Sequence, residues 1–494
     1  MGPGTVRIGA VRSLRSRWCG PRQRAFLSVL PLLVGGVAGT SCEVSSPARP
    51  ARPAPATPRP ARSCTQYLPP DPNRPVVTLD FEVSADHRTV TGREHVVFRP
   101  DRAVHELVFR LWPNGPEGGR VHASLTVHRA SVNGLTGFHL ASAGGRPGTQ
   151  GTLLTMPLSA SHRSGSPITA DLDFTVRLPS PSWDRMGSDG RTAWWASAHP
   201  MLAWQPTVGW TRDPASPLPG ETATSAVAAT AVTVTAPAAD QVLTGGAADP
   251  PRPAPGRRRR WHFVAPTARD VAVAVGPFRL TSAEIAVPAG PPVPVTVGVA
   301  PGLDWGGPAV LAEVRRALPR LVARFGPVPF PALRLAGVPG LVSSGIEYPA
   351  MVLLLGRPQQ AVVTHELAHQ WFYGLVGNNQ ARDPWLDEAF ATYAEALVDP
   401  PPATYTHRLT AAGRVGASMA SFGTDYARYS DVVYEKGAAA LLAARHRAGA
   451  AAFDSALRCY LTDLAWQVAT PTDVAAHLRH LPLALAVLHR VGAL

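Results

Sequence analysis

The sequence predicts an α+β chain of more than one domain, with an all-β, sandwich-like N-terminal part followed by a mainly α part. Three observations carry this. Its 494 residues are enough for several cores. From Pro75 to about Val299, short apolar runs are punctuated by Gly, Pro, Asn and Asp, and no long helical period intervenes. From about Pro301 the apolar spacing becomes helical, and after Glu388 the chain is Ala-rich to its end.

The first 41 residues read as targeting. Arg7, Arg12, Arg15, Arg17, Arg22 and Arg24 form a basic start without an acid, and Phe26 to Val37 is apolar. That run falls short of the ~20 residues a membrane span needs, so a secretory signal peptide is expected over 1–41. Gly39-Thr40-Ser41-Cys42 leaves two readings. In the favoured one Cys42 is the lipidated first residue of a cell-envelope lipoprotein, anchored to a membrane. In the other, cleavage near Ser41 releases a secreted protein. Residues 42–66 are a Pro/Ala/Arg-rich linker, expected to be an extended spacer.

The net charge of +13 does not point to nucleic acid. Residues 1–63 hold ten Arg and one acid, Glu43, leaving only +4 on the rest. Lys436 is the one lysine, a bias that looks like high-GC coding rather than a nucleic-acid surface. Arg257 to Arg260 is expected in a solvated loop between strands. The four cysteines, Cys19, Cys42, Cys64 and Cys459, are too few for a disulfide framework. Cys64 and Cys459 either pair, as an oxidising compartment allows, or stand as independent thiols.

Domain boundaries follow: an N-terminal β domain over 67–300 and a second domain over 301–494. In the first, Val76–Val83, Thr89–Phe98, Glu106–Leu111, Thr230–Thr235 and Val271–Val275 read as strands. In the second, Ala309 to Phe325 reads as a helix carrying Pro319, and Leu333–Val338 and Met351–Leu355 as strands. Gly345-Ile346-Glu347 then falls at a loop or strand edge.

The chemistry gathers between Val362 and Tyr393, VVTHELAHQWFYGLVGNNQARDPWLDEAFATY. His365-Glu366-Leu367-Ala368-His369 is an H-E-x-x-H motif. Two His four apart share one helix face, so both can reach one zinc ion with Glu366 beside it as a base. Alone, the pentapeptide also fits an amphipathic helix with two surface histidines. After eighteen intervening residues, Glu388 opens a second helical pattern and supplies a third ligand. That leaves a fourth position for water, as a catalytic zinc requires, and no cysteine lies near to close a structural site.

H-E-L-A-H-Q-W-F followed at this gap by W-L-x-E-x-F-A-x-Y resembles the gluzincin metallopeptidases of the aminopeptidase N and leukotriene-hydrolase family. Gly345-Ile346-Glu347-Tyr348-Pro349 resembles that family's exopeptidase motif, with Ile346 where Met is usual. Tyr434-Glu435-Lys436-Gly437 resembles the segment bearing its catalytic tyrosine. Asp387 replaces the usual Asn, and Ala389 the usual Gly. The resemblance implies a short bacterial exported form with a thermolysin-like catalytic domain and one Zn2+ held by His365, His369 and Glu388. It implies Glu366 as general base, Tyr434 as oxyanion donor, and Gly345 and Glu347 at the substrate's free α-amine. Peptides with a free N-terminus are the expected substrates. The family's large helical C-terminal domain has no counterpart here, so an open-cleft endopeptidase stays in view. So do lipid-epoxide hydrolysis and an inactive binding protein on the same fold.

Overall fold

The computed structural model describes residues 64–494 apart from 146–150, 181, 184, 219–223, 340–343 and 401–402. The expected signal peptide, Cys42 and nearly all of the linker lie outside the described residues.

The N-terminal half contains strands β1 (Val76–Val83), β2 (Thr89–Phe98), β3 (Val104–Arg110), β4 (Ser124–Val132), β5 (Leu153–His162), β6 (Ile168–Arg177), β7 (Met186–Ser188), β8 (Ala193–Ala196), β9 (Ala228–Pro237), β10 (Gln241–Thr244), β11 (Arg258–Ala268) and β12 (Ala272–Gly276). The long strands of its large sheet lie in the order β11-β9-β1-β2-β6-β4. All adjacent pairs are antiparallel except β1 with β9. Burial alternates along β1, β2, β6 and β9, the signature of a sheet with one dry face. That face packs on two four-stranded sheets, one ordered β10-β12-β8-β7 and the other built around β3 and β5. Phe81 of β1 meets Trp195 of β8 edge-on at 5.5 Å, a geometry that aromatic rings favour. The sandwich-like first half is therefore present.

Arg258, Arg259 and Arg260 begin β11, opposite Pro237, Ala236 and Thr235, whereas a loop was expected there. Only Arg257 is in the turn, at φ 57°. A run of four arginines hides strand propensity because β11 shows its apolar alternation only from Trp261 onward.

The second half contains β13 (Arg279–Ile285), β14 (Val293–Val299), α1 (Gly307–Phe325), β15 (Leu333–Val338), β16 (Ser344–Tyr348), β17 (Met351–Leu355), α2 (Gln360–Ala368), α3 (Glu388–Val398), α4 (Gly437–Ala448) and α5 (Ala450–Asp463). Its sheet runs β13-β14-β15-β17-β16. The three central strands are parallel and the two edges antiparallel. Every residue of β17 is buried, as expected of a strand covered on both faces. Arg279 to Val299 thus belongs to this sheet, although the expected boundary at 300 put it with the first half. Val295–Val299 pairs with Leu333–Gly337. Strand periodicity reports that a segment is extended, not which sheet it joins.

Cys64 and Cys459 are bonded across 395 residues of sequence. The segment after Cys64 lies against the helical half. Leu68 N–H donates to the Thr462 carbonyl at 3.2 Å, the Tyr67 hydroxyl donates to the Pro327 carbonyl at 2.6 Å, and Trp371 Nε1–H donates to the Tyr67 hydroxyl at 2.9 Å. No helix among the described residues is long and apolar enough to cross a membrane.

Candidate metal centre

Helix α2 begins at Gln360 and ends with His369 as its C-cap. His365 and His369 are one turn apart, and their rings meet edge-on at 4.7 Å. Glu388 opens α3, N-capped by Asp387, whose Oδ1 accepts the Glu388 N–H at 2.9 Å. The other Asp387 oxygen faces Gln380 Nε2 at 3.0 Å. Ala389, where Gly is usual, faces Gly437. A Cβ on Gly437 would lie 2.5 Å from the Ala389 Cβ, so with alanine at 389 only glycine fits at 437.

These elements bring three ligand-type atoms together. His365 Nε2 lies 3.0 Å from His369 Nε2, and Glu388 Oε2 lies 3.2 Å from the first and 3.4 Å from the second. A tetrahedral zinc with bonds of ~2.0–2.1 Å separates its ligand atoms by ~3.3–3.4 Å, so the triangle fits that ion. The outer nitrogens fix both tautomers. His369 Nδ1 faces the Phe372 carbonyl at 2.9 Å, and His365 Nδ1 faces Glu395 Oε2 at 3.4 Å. Each Nδ1–H therefore points at an acceptor, which turns the Nε2 lone pair inward.

The charges agree with a cation site. Burial opposes the Glu388 charge, but the two imidazoles outweigh it and hold the carboxyl well below the usual range. Burial also opposes a charged His369, yet Glu347 and Glu388 push it up to about 9. Glu366 is buried, with Oε2 unpartnered among the protein's own groups. Its burial, with Glu347 and Glu388 nearby, pushes it up to about 8 against the pull of the two histidines.

The other predicted residues surround this triangle. Glu347 lies on edge strand β16, buried, with Oε1 unpartnered among protein groups. Burial pushes its carboxyl up, and Glu347, Glu366 and His369 offer ligand-type atoms within 4.8 Å of one another. Gly345 sits two residues before it, against Glu366. Gln370 splints the β16–β17 turn to the end of α2, accepting the Ala350 N–H at 2.9 Å and donating to the Tyr348 carbonyl at 3.2 Å. Tyr434 stacks on His365, with centroids 5.9 Å apart and planes at 11°. It lies in a π-helical segment, Ser430–Lys436, a local widening that recurs at functional sites. The end of that segment is pinned by Lys436, whose Nζ donates to the Ala411 and Gly413 carbonyls at 2.7 Å each. Burial and the Glu388 charge push the Tyr434 phenol well up, so it keeps its proton as a donor.

All seven expected site residues therefore lie in one place. Sequence reasoning missed Glu395, Gln370 and Gln380. Glu395 was within reach, because it lies seven residues after Glu388 and so on the same helix face. The two glutamines gave no signal beyond their nearness to the motif.

Two histidines a turn apart, a glutamate from the next helix and buried carboxylates beside them form the arrangement that the gluzincin resemblance implies. The comparisons agree. Residues 356–411 match the Peptidase family M1 domain. The membrane alanyl aminopeptidase of Heliothis virescens is 33% identical over 137 residues, 23% of this chain and 13% of that protein. The aminopeptidase N of Streptomyces lividans is 58% identical over 36 residues, 7% of this chain and 4% of that protein. The chain thus covers only a small part of these curated relatives. In fold, the M1 zinc metallopeptidase from Deinococcus radiodurans is similar over 87% of this chain and 96% of its own, with a TM-score of 0.65 at 19% identity. The chain is thus similar to aminopeptidase N-type gluzincins, in sequence around the ligand helices and in fold over most of its length.

Proposed function

We propose that the protein is an exported, zinc-dependent aminopeptidase that removes residues from the free N-terminus of peptides. The observation that carries this is the His365–His369–Glu388 triangle, 3.0 to 3.4 Å on a side, with two further buried carboxylates, Glu366 and Glu347, beside it. His365, His369 and Glu388 would hold one zinc ion, which supplies Lewis acidity and lowers the pKa of water. Glu366 takes the proton of the attacking water as its oxygen bonds to the scissile carbonyl carbon. It then gives that proton to the departing amine as the C–N bond breaks. The Tyr434 hydroxyl donates to the oxyanion that forms in between. Glu347 pairs with the substrate α-ammonium, which sets the cut one residue from the chain end. A Deinococcus radiodurans variant of this fold, 20% identical over 85% of this chain and 94% of its own with a TM-score of 0.63, is described with a Tyr-Ser-Ala substrate, and this supports a peptide substrate here.

The basic-then-apolar leader and the Cys64–Cys459 bond support export, since such bonds persist in oxidising compartments. Lipidation of Cys42 is part of the same proposal, tested by labelling cells with a tagged fatty acid and comparing Cys42→Ser.

The test is hydrolysis of aminoacyl fluorogenic amides, run beside N-acetylated peptides and beside Glu366→Ala, with bound zinc quantified. Cleavage of free-amine substrates alone, lost in Glu366→Ala at full zinc, is the expected result. Cleavage of blocked peptides would make the protein an endopeptidase. No cleavage by the zinc-loaded native protein would leave a binding protein on this fold.

A further inference from the structure

The helices that carry the ligand triangle are joined a second time, away from it. Asp399 caps the C-terminus of α3, and its carboxylate accepts four hydrogen bonds. Oδ1 accepts from Arg316 NH1 and from Gln360 Nε2, each at 2.6 Å. Oδ2 accepts from Arg316 NH2 at 2.9 Å and from the Thr364 hydroxyl at 2.8 Å. Arg316 reaches in from α1, where Glu313 Oε2 accepts its Nε–H at 2.8 Å. The Arg316–Asp399 pair is thus bidentate, the strong and directional form of this contact.

The placement gives the bracket leverage. On α2, Gln360 and Thr364 are one turn apart, and the fully buried Thr364 immediately precedes His365. On α3, Glu388, Glu395 and Asp399 recur at intervals of seven and four residues, so one face of the helix bears all three. Glu388 and Asp399 lie roughly 16 Å apart along the helix, from a rise of about 1.5 Å per residue. The two helices also share the apolar core, through Val363 and Leu367 on one and Ala391 and Ala394 on the other, but apolar packing is not directional and leaves their relative rotation to the polar contacts. A second fixed point fixes their relative rotation and slide. Ligand positions matter to tenths of an ångström, and residues that orient ligands commonly change metal affinity by ~10–100-fold.

We propose that Arg316, Asp399 and Thr364 are positioning residues of the metal centre, a three-helix bracket that sets the angle between α2 and α3 and so brings Glu388 onto the two histidines. The proposal rests on the zinc-peptidase reading above. It assigns a role to Thr364 through its hydroxyl, not through contact with substrate or metal.

The test uses Thr364→Val, which keeps the side-chain shape and removes the hydroxyl's bonds to both Asp399 and Arg316 while the bidentate Arg316–Asp399 contacts remain, with Thr364→Ser as rescue and Asp399→Asn as the harsher change. Zinc affinity is measured by competition with a chromogenic chelator, together with the visible spectrum of the Co2+-loaded protein and melting of each variant. Thr364→Val should bind zinc about tenfold more weakly, with a shifted Co2+ spectrum and a lower kcat at unchanged KM. Thr364→Ser should restore all three. Asp399→Asn should weaken zinc binding further; should it fail to fold, the threonine pair decides alone. Thr364→Val with native zinc affinity and an unchanged Co2+ spectrum would overturn the bracket while leaving the zinc reading intact. A native protein that takes up no zinc would overturn the reading itself, and the bracket with it.

Discussion

Gly345→Ala should disable catalysis without emptying the metal centre. Gly345 lies in β16 opposite Leu354, at a position where extended backbone accepts alanine. The obstacle is the neighbouring helix. An ideal Cβ on Gly345 would stand 2.4 Å from Glu366 Cγ and 2.6 Å from both its Cδ and Oε1. Carbon atoms in contact settle at about 3.5–4.0 Å, so the Glu366 carboxyl must retreat by roughly 1 Å. A displacement of that size at a reacting group costs ~10²-fold in rate, about 2.7 kcal/mol of barrier. None of the three nearest atoms belongs to His365, His369 or Glu388, so zinc should stay bound. The assay is kcat and KM on an aminoacyl amide, with zinc content and melting temperature measured on the same preparation. The expected outcome is a kcat about a hundredfold lower at full zinc and near-native melting. A variant within threefold of native kcat would refute the reasoning, because it would mean that Glu366 need not stand where it does.

Three further outcomes are expected. Tyr434→Phe keeps the ring that stacks on His365 but loses the donor, so kcat should fall by ~10²–10³ with KM unchanged; a fall below fivefold would remove Tyr434 from the transition state. Cys459→Ser opens the Cys64 bond and should destabilise the fold by about 2–5 kcal/mol, read as a lower denaturation midpoint; an unchanged midpoint would show that the bond adds nothing. The third concerns pH with zinc removed by a chelator. His369 is pushed up to about 9, and Glu366 and Asp387 each to about 8. Each then holds its proton more tightly folded than unfolded. Their contribution is complete below the unfolded values, near 4 for the carboxyls and near 6.5 for the imidazole, and is lost as pH rises through 8 to 9. The chelated protein should therefore melt progressively lower from pH 6 to 9, and the zinc-loaded protein should show a shallower trend. Parallel curves would contradict the assignment of those protons.

Much of this was readable in the chain because local pattern decided it. Thr89–Phe98 reads as a strand and is one to the residue. Leu333–Val338 and Met351–Leu355 are short apolar runs and are buried strands. The metal ligands were readable because one turn of helix fixes the spacing of His365 and His369. What depended on partners was not readable. Arg279–Ile285 looks like any other strand, and only its pairing through β14 to β15 moves it into the second half. The Cys64–Cys459 bond joins ends 395 residues apart, a distance over which sequence carries no geometry. Asp399, a bland acid before Pro400 in the chain, gains meaning only when α1 brings Arg316 to it.

The Cys64–Cys459 bond also decides where tension goes. Nearly all of the described chain lies inside the ring it closes. A pull on the segment ahead of Cys64 passes through the sulfur bridge into α5, and the strands and ligand helices within the ring carry none of it. With the sulfurs reduced, the same pull would run first to Tyr67, then through its hydroxyl to Trp371, two residues beyond His369. Reduction would thus move the first fixed point of the chain from α5 to a hydrogen bond beside α2.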